Sequence, residues 1–357
     1  MTTEPVRLSE QPLGRLEARF GSEGDRLFDG ISFADEATKA GPAVWGHGDQ
    51  VLWSPGEPFM LYGPQGVAKT TAAQRLMLGL VGLEPTILGL SVAATERPVL
   101  YVAADRPTQA AKSWRRMLAL LEQDQREIVR ERVRFWKGPL PFDIAAQPDY
   151  LVEFVTRHGC GTFIGDSLKD LAVDLVKDEV GSRVNRAWQM LVQQDVEVLD
   201  LHHPRKALAG QSDKPRTLDD VYGSSWLTAG HGSVVALWGR PGDPIVDLSH
   251  LKQPQEEVGP FRILVDHEFG MIERHDGGDL LGVLRSTTGP LAAKDVAGML
   301  FATTRPTDSD VEKARRRLEK LVAKGLAYAR RSDRDQQGRI RPTTYVAAPP
   351  AGLQEPL

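Results

Sequence analysis

Phe59-Met60-Leu61-Tyr62-Gly63-Pro64-Gln65-Gly66-Val67-Ala68-Lys69-Thr70-Thr71 is the stretch on which the reading of this chain turns. Its first four residues are a short apolar run of the kind that forms a buried strand, and they lead directly into a Gly-rich turn. Lys69, Thr70 and Thr71 then open a helical segment, Ala72–Leu80. A strand, a Gly-rich loop and a helix in that order make a phosphate-binding loop. Gly63 and Gly66 let successive backbone N–H groups converge on one anion, and the helix N-terminus adds partial positive charge. Within this cradle of Gly63, Pro64, Gln65, Gly66, Val67, Ala68, Lys69, Thr70 and Thr71, Lys69 reaches for the outer phosphates of ATP. The Thr70 hydroxyl is a ligand for Mg²⁺. Ala68 stands where such loops usually carry Gly. Its position at the helix start predicts a negative φ, which suits an alanine.

The pattern continues outward in both directions. An apolar run predicts a buried strand over Pro98–Ala104 and another apolar strand over Gly161–Ser167, with further strands at Arg132–Lys137 and Val196–Leu201, and helical stretches at Thr108–Leu121 and Asp149–Arg157 between them. Alternation of this kind specifies α/β architecture, a parallel sheet flanked by helices. Ser233–Trp238, Pro244–Lys252, Pro260–Asp266 and Gly270–Glu273 follow with alternating character and hairpin spacing, which adds an antiparallel extension. Residues before Gly41 are polar and read as an arm or linker. Trp45 and Trp53 are either core residues or stacking platforms for a base.

Ligands of such sheets lie beyond the carboxyl ends of the strands, and the candidate polar residues fall there. Asp166 is placed to hold Mg²⁺ through water, Asp105 to take a proton from an attacking water, and His203 to sense the γ-phosphate. Each has a plainer alternative: a helix cap for either Asp, an ordinary hydrogen bond for the His.

The chain has 357 residues, long enough for two domains, with 41% hydrophobic and 26% charged residues, values ordinary for a globular protein. A single cysteine, Cys160, rules out an intramolecular disulfide and reads as structural. With no signal-peptide pattern at the start and no uninterrupted apolar span, a cytoplasmic location is expected. The net charge of -4 conceals an asymmetry, because residues 281–357 are basic and the remainder acidic.

That basic end has its own pattern. Leu280–Arg285, Ala292–Phe301 and Val311–Ala323 are helical, the last introduced by a capping box over Ser309-Asp310-Val311-Glu312. Ala327–Arg330 and Thr343–Val346 read as strands around the basic turn 331–341. Three helices and a β-hairpin predict a small winged helix-turn-helix, with Arg315, Arg316 and Lys320 on the helix and Arg331, Arg339 and Arg341 on the turn as DNA contacts. A protein-docking winged helix with a solvated basic face is the alternative. The expected layout is an arm to residue 41, a nucleotide-binding domain over 42–275, the winged helix over 279–348, and a tail.

Gly63–Thr71, Asp105, Asp166-Ser167, His202-His203-Pro204-Arg205-Lys206 and Gly223-Ser224-Ser225 together resemble the RecA-like ATPases of the plasmid RepA replicative-helicase type, relatives of the DnaB helicases. The resemblance spans about residues 41–273. It implies a RecA-like P-loop core, an ATP site between neighbouring subunits, self-association into a ring that is often hexameric, and movement along single-stranded DNA. Primase or other replication proteins are implied partners. Lys252 falls where that family places the first member of a Lys-x-Arg finger pair reaching the next subunit's ATP. Here Pro254 replaces the Arg. Two other readings stay open: a DNA-bound regulatory ATPase that switches without unwinding, and a nucleotide-binding module with little turnover.

Overall fold

The computed structural model describes residues 27–39, 41–204, 214, 217–275, 280–287, 289–300, 303–323, 325–330 and 342–348. Helix α1 (Gly30–Lys39) precedes a small hairpin of β1 (Trp45–His47) and β2 (Gln50–Trp53). Strand β3 (Phe59–Tyr62) and helix α2 (Lys69–Leu80) flank the Gly-rich turn, and a two-stranded ribbon, β4 (Thr86–Ile87) and β5 (Leu90–Ser91), follows. Next come β6 (Val99–Ala103), α3 (Pro107–Leu118), α4 (Gln123–Arg132), β7 (Val133–Lys137), α5 (Pro148–Arg157), β8 (Thr162–Asp166), α6 (Asp178–Val192) and β9 (Glu197–His202). After α7 (Ser225–Ala229), strands β10 (Ser233–Trp238), β11 (Ile245–Lys252), β12 (Phe261–Asp266) and β13 (Met271–His275) complete the large unit.

These strands form one nine-stranded sheet in the order β13-β12-β11-β10-β3-β9-β8-β6-β7. From β10 to β7 all neighbours are parallel, while β11, β12 and β13 continue the sheet antiparallel. Both faces of the central strands are covered, which is why β3 and β6 read as unbroken apolar runs, whereas the edge strand β7 is largely exposed and carries Arg134 and Lys137. In β3, Phe59 and Leu61 join a core with α2, α3 and the antiparallel strands, while Met60 and Tyr62 join the core on the other face with α5 and α6. Trp45 and Trp53 are buried against Phe59 and belong to the first core, so neither is a base-stacking platform. Helix α6 is an addition to the expected pattern, although Val184, Ala187, Trp188 and Leu191 recur at helical spacing and are all buried. No described helix is long and apolar enough to cross a membrane.

The C-terminal unit has its own core. Helices α8 (Leu280–Ser286), α9 (Ala293–Leu300) and α10 (Asp308–Ala323) pack with strands β14 (Leu291–Ala292), β15 (Ala327–Arg330) and β16 (Thr344–Ala347), ordered β14-β16-β15. Leu284, Val296, Ala314, Leu318 and Tyr345 meet inside it. Helix α10 starts earlier than expected. The Thr307 hydroxyl donates to the Asp310 carboxylate at 2.7 Å and accepts from the Asp310 N–H at 3.3 Å, so the cap lies two residues ahead of Ser309. Glu312, the expected end of that cap, instead pairs with Arg315 and Arg316.

Candidate functional site

The Gly-rich turn leaves the carboxyl end of β3 with Gly63 donating its N–H to the His202 carbonyl of β9 at 3.2 Å. A side chain at Gly63 would collide with the Leu237 carbonyl. One at Gly66, where φ is +78°, would meet Pro241 at 2.8 Å. Neither position admits a larger residue. Ala68 departs from the sequence expectation: its φ is 65° and ψ 21°, left-handed, not the negative φ of a helix start. The turn has to reverse there so that the Ala68 carbonyl can accept from Ala72 at 2.8 Å and open α2. For an L-residue that conformation costs roughly 1–2 kcal/mol. Gly would avoid most of this cost.

Lys69 is buried, and its ammonium donates to the carbonyls of Gly63 (2.6 Å) and Pro64 (2.7 Å), which hold it over the loop. Burial lowers its pKa to about 8, against the opposing pull of Asp166 and Asp105. Thr70 Oγ1 donates to Asp166 Oδ2 at 2.8 Å. The same carboxylate oxygen accepts from the Tyr101 hydroxyl at 2.5 Å. Burial raises the Asp166 pKa, and the hydrogen bonds from Tyr101 and Thr70 and the charge of Lys69 act the other way. A hydroxyl and a carboxylate side by side at the mouth of a phosphate loop are hard oxygen donors, the set that Mg²⁺ takes. The residues present therefore fit that ion.

Asp105 follows β6 and lies 3.5 Å from Lys169 Nζ, just after β8. His203 follows β9; burial and then the charge of Lys69 lower its pKa to about 3, so the ring is neutral at physiological pH. Lys69, Thr70, Asp105, Asp166 and His203 line one hollow of about 250 Å³, together with Arg106, which immediately precedes α3, and the α3 residues Gln109, Ser113 and Arg116. Tyr101 and Lys169 carry no signal in the sequence pattern. Tyr101 lies inside an apolar strand, and Lys169 becomes relevant only through the register that sets Ala103 beside Asp166. His202, by contrast, is wholly buried and bonded to the Tyr222 carbonyl at 2.6 Å, a structural role.

Lys252 sits apart from these residues. It pairs with Val234 at the amino end of β10, the end of the sheet opposite the phosphate loop. Its ammonium donates to the carbonyls of Thr228 (3.1 Å) and Ala229 (2.9 Å). The expected DNA contacts on α10 are also engaged. Arg315 bonds Glu312 and Glu319, Arg316 bonds Glu312, and Lys320 reaches Glu256 of the large unit at 2.8 Å. Arg317 faces Glu257 at 3.5 Å. Arg331, Arg339 and Arg341 lie outside the described residues, as do Arg205, Lys206 and most of the polar loop that follows.

Residues 34–209 match the sequence model of an AAA domain. The match covers the Gly-rich turn, Asp105, Asp166 and His203, and stops short of Lys252 and the C-terminal unit. Taken with the mostly parallel sheet, it supports an AAA-type P-loop ATPase: a nucleotide-binding hydrolase domain of the kind that typically works with Mg²⁺. No curated protein matches the chain.

Proposed function

We propose that this chain is an ATPase acting on DNA, with a RecA-like core of the RepA replicative-helicase type and a C-terminal winged helix. One observation carries the chemistry: Thr70 and Asp166 oxygens 2.8 Å apart, with Lys69, Asp105 and His203, around a single hollow. Thr70 and Asp166 would hold Mg²⁺, which neutralises phosphate charge when bound. Lys69 turns its ammonium from the loop carbonyls to the outer phosphates. Asp105 orients a water and accepts its proton as the water oxygen bonds to the γ-phosphorus. The bond from that phosphorus to the bridging oxygen breaks, and the electron pair leaves with ADP. His203, neutral, offers an N–H to the γ-phosphate without adding charge.

The winged-helix assignment is supported by three helices, an antiparallel three-stranded sheet and a separate core. A ring is supported by the resemblance, and Lys252 is the residue it would offer to the neighbour's ATP. A regulatory ATPase that switches without unwinding is the second reading. It is favoured by the ion pairs that occupy Arg315, Arg316 and Lys320. ATP hydrolysis measured with and without single-stranded DNA, across protein concentration, separates the two. A motor is stimulated and gains specific activity as it assembles. Turnover that ignores both variables supports the regulator.

A further inference from the structure

A cleft of about 490 Å³ lies away from the phosphate loop, where the end of β11 meets the C-terminal unit. Ser249, His250 and Gln253 belong to one wall. The other wall is the segment joining α9 to α10, together with the first turns of α10. That segment is well tied down. The Thr303 N–H donates to the Gly298 carbonyl at 3.0 Å, the Thr303 hydroxyl accepts from the Arg305 N–H at 3.2 Å, and Pro306 has its φ fixed by its ring. Arg305 is thereby presented at the cleft. Lys313 joins it from α10, on the face that carries Ser309, Arg317 and Lys320 at helical spacing.

The charges around this cleft do not cancel. Glu257 faces Arg317 at 3.5 Å, and Asp310 accepts from the Thr307 N–H at 2.9 Å and from its hydroxyl at 2.7 Å. Lys214 is paired with Asp247 at 3.0 Å. His250 is buried and its Nδ1 accepts the Val258 N–H at 3.2 Å, so its ring is neutral. Arg305 and Lys313 are exposed, and neither makes an ion pair among the described residues. Two available cations remain, with the Ser249 and Ser309 hydroxyls beside them. Cations and hydroxyls are the groups that meet phosphate oxygens.

We propose that this cleft between the two units binds the phosphodiester backbone of single-stranded DNA, with Arg305 and Lys313 each meeting a phosphate. A positively charged groove that tracks the backbone is how single strands are held without regard to sequence. The volume falls in the small-ligand range of roughly 300–1,000 Å³, which admits a short stretch of single strand and excludes a duplex. Arg315 and Arg316, on the outer face of α10, are already paired with Glu312 and Glu319, so the cleft offers the more available charge. The assignment rests on the reading that this chain acts on DNA, and the two fail separately.

The test is equilibrium binding of a labelled oligothymidylate to the full chain without nucleotide, titrated across salt, with a duplex of the same length alongside. Arg305→Ala and Lys313→Ala should each weaken single-strand binding about fivefold at low salt and reduce the slope of log affinity against log salt by about 0.7, the change expected for one lost phosphate contact. Duplex binding should change little. Ser309→Trp keeps both cations but narrows the cleft, and it should also weaken the single strand. All three positions are exposed, so the fold should persist. Single-strand binding unmoved by all three substitutions, or an equal loss of duplex binding, overturns the cleft while the DNA-acting reading stands. Binding of neither DNA form by the wild-type protein at low salt overturns both.

Discussion

The phosphate-loop hollow and helix α10 both carry clustered cations, and they use them in opposite ways. In the hollow, Lys69 is held by backbone carbonyls and faces an open space lined by carboxylates that fit Mg²⁺. On α10, Arg315, Arg316 and Lys320 are paired with Glu312, Glu319 and Glu256. The first arrangement is preorganised for an anion. The second is closer to neutral, and it fastens one unit of the protein to the other. A count of basic residues cannot tell these cases apart, because available charge depends on the partners that folding supplies.

The sharpest way to break the comparison is Lys69→Ala. Turnover is expected to fall to background while circular dichroism and the melting transition stay near wild type, since the ammonium touches the loop rather than the apolar core. Normal turnover in a folded variant would remove the phosphate-loop assignment. Asp105→Asn comes next. Losing a general base costs on the order of 10²–10⁴ in rate, so kcat should drop by that range with ATP affinity little changed. An equal loss in binding would point to a different role for Asp105.

Burial distinguishes the two cation clusters in a titration as well. Lys69 has its pKa lowered to about 8, so its charge is complete below that pH and lost above it. ATP affinity should hold steady from about pH 6.5 to 7.5 and decline above 8, by no more than about tenfold per pH unit for a single linked proton. The decline should vanish in Lys69→Ala. An alkaline decline that survives in that variant would assign it to another group.

Releasing the α10 cations sharpens the other half. Glu256→Gln with Glu257→Gln removes the partners of Lys320 and Arg317. DNA affinity at low salt should rise several-fold, and the salt dependence should steepen as two more cations meet phosphates. No change in either would make this unit a protein-docking module. The smallest expected effect is Ala68→Gly. Replacing a left-handed alanine with glycine should stabilise the fold by roughly 1 kcal/mol, read as an increase in unfolding free energy. A loss of stability would mean that the loop tolerates Ala68 without strain.

The strands buried on both sides were legible in the sequence, because a run such as Phe59–Tyr62 stays apolar at every position only when both faces of the strand are covered. The residues just past those strands were legible too, since strand ends in a parallel sheet share one edge. Helix α6 was harder to see: Val184, Ala187, Trp188 and Leu191 carry its spacing, but polar residues separate them. The α10 cap reads from sequence as Ser309 and lies at Thr307, because both stretches carry capping residues and only the packed helix selects one.

What the sequence alone determined is the chemistry available: a Gly-rich turn with Lys69 and Thr70, and carboxylates at Asp105 and Asp166. Local order suffices there, because a strand, a tight turn and a helix are neighbours along the chain. Tertiary structure alone decided which of those groups meet. Tyr101 reaches Asp166 and Lys169 approaches Asp105 because β6 and β8 pair in one register, across 65 residues in the first case. The left-handed turn at Ala68 and the pairing of Lys320 with Glu256 were likewise set by packing, whereas Arg315 and Arg316 pair at helical spacing within α10. Conformation and electrostatic state depend on distances in space, and residue types alone do not encode them.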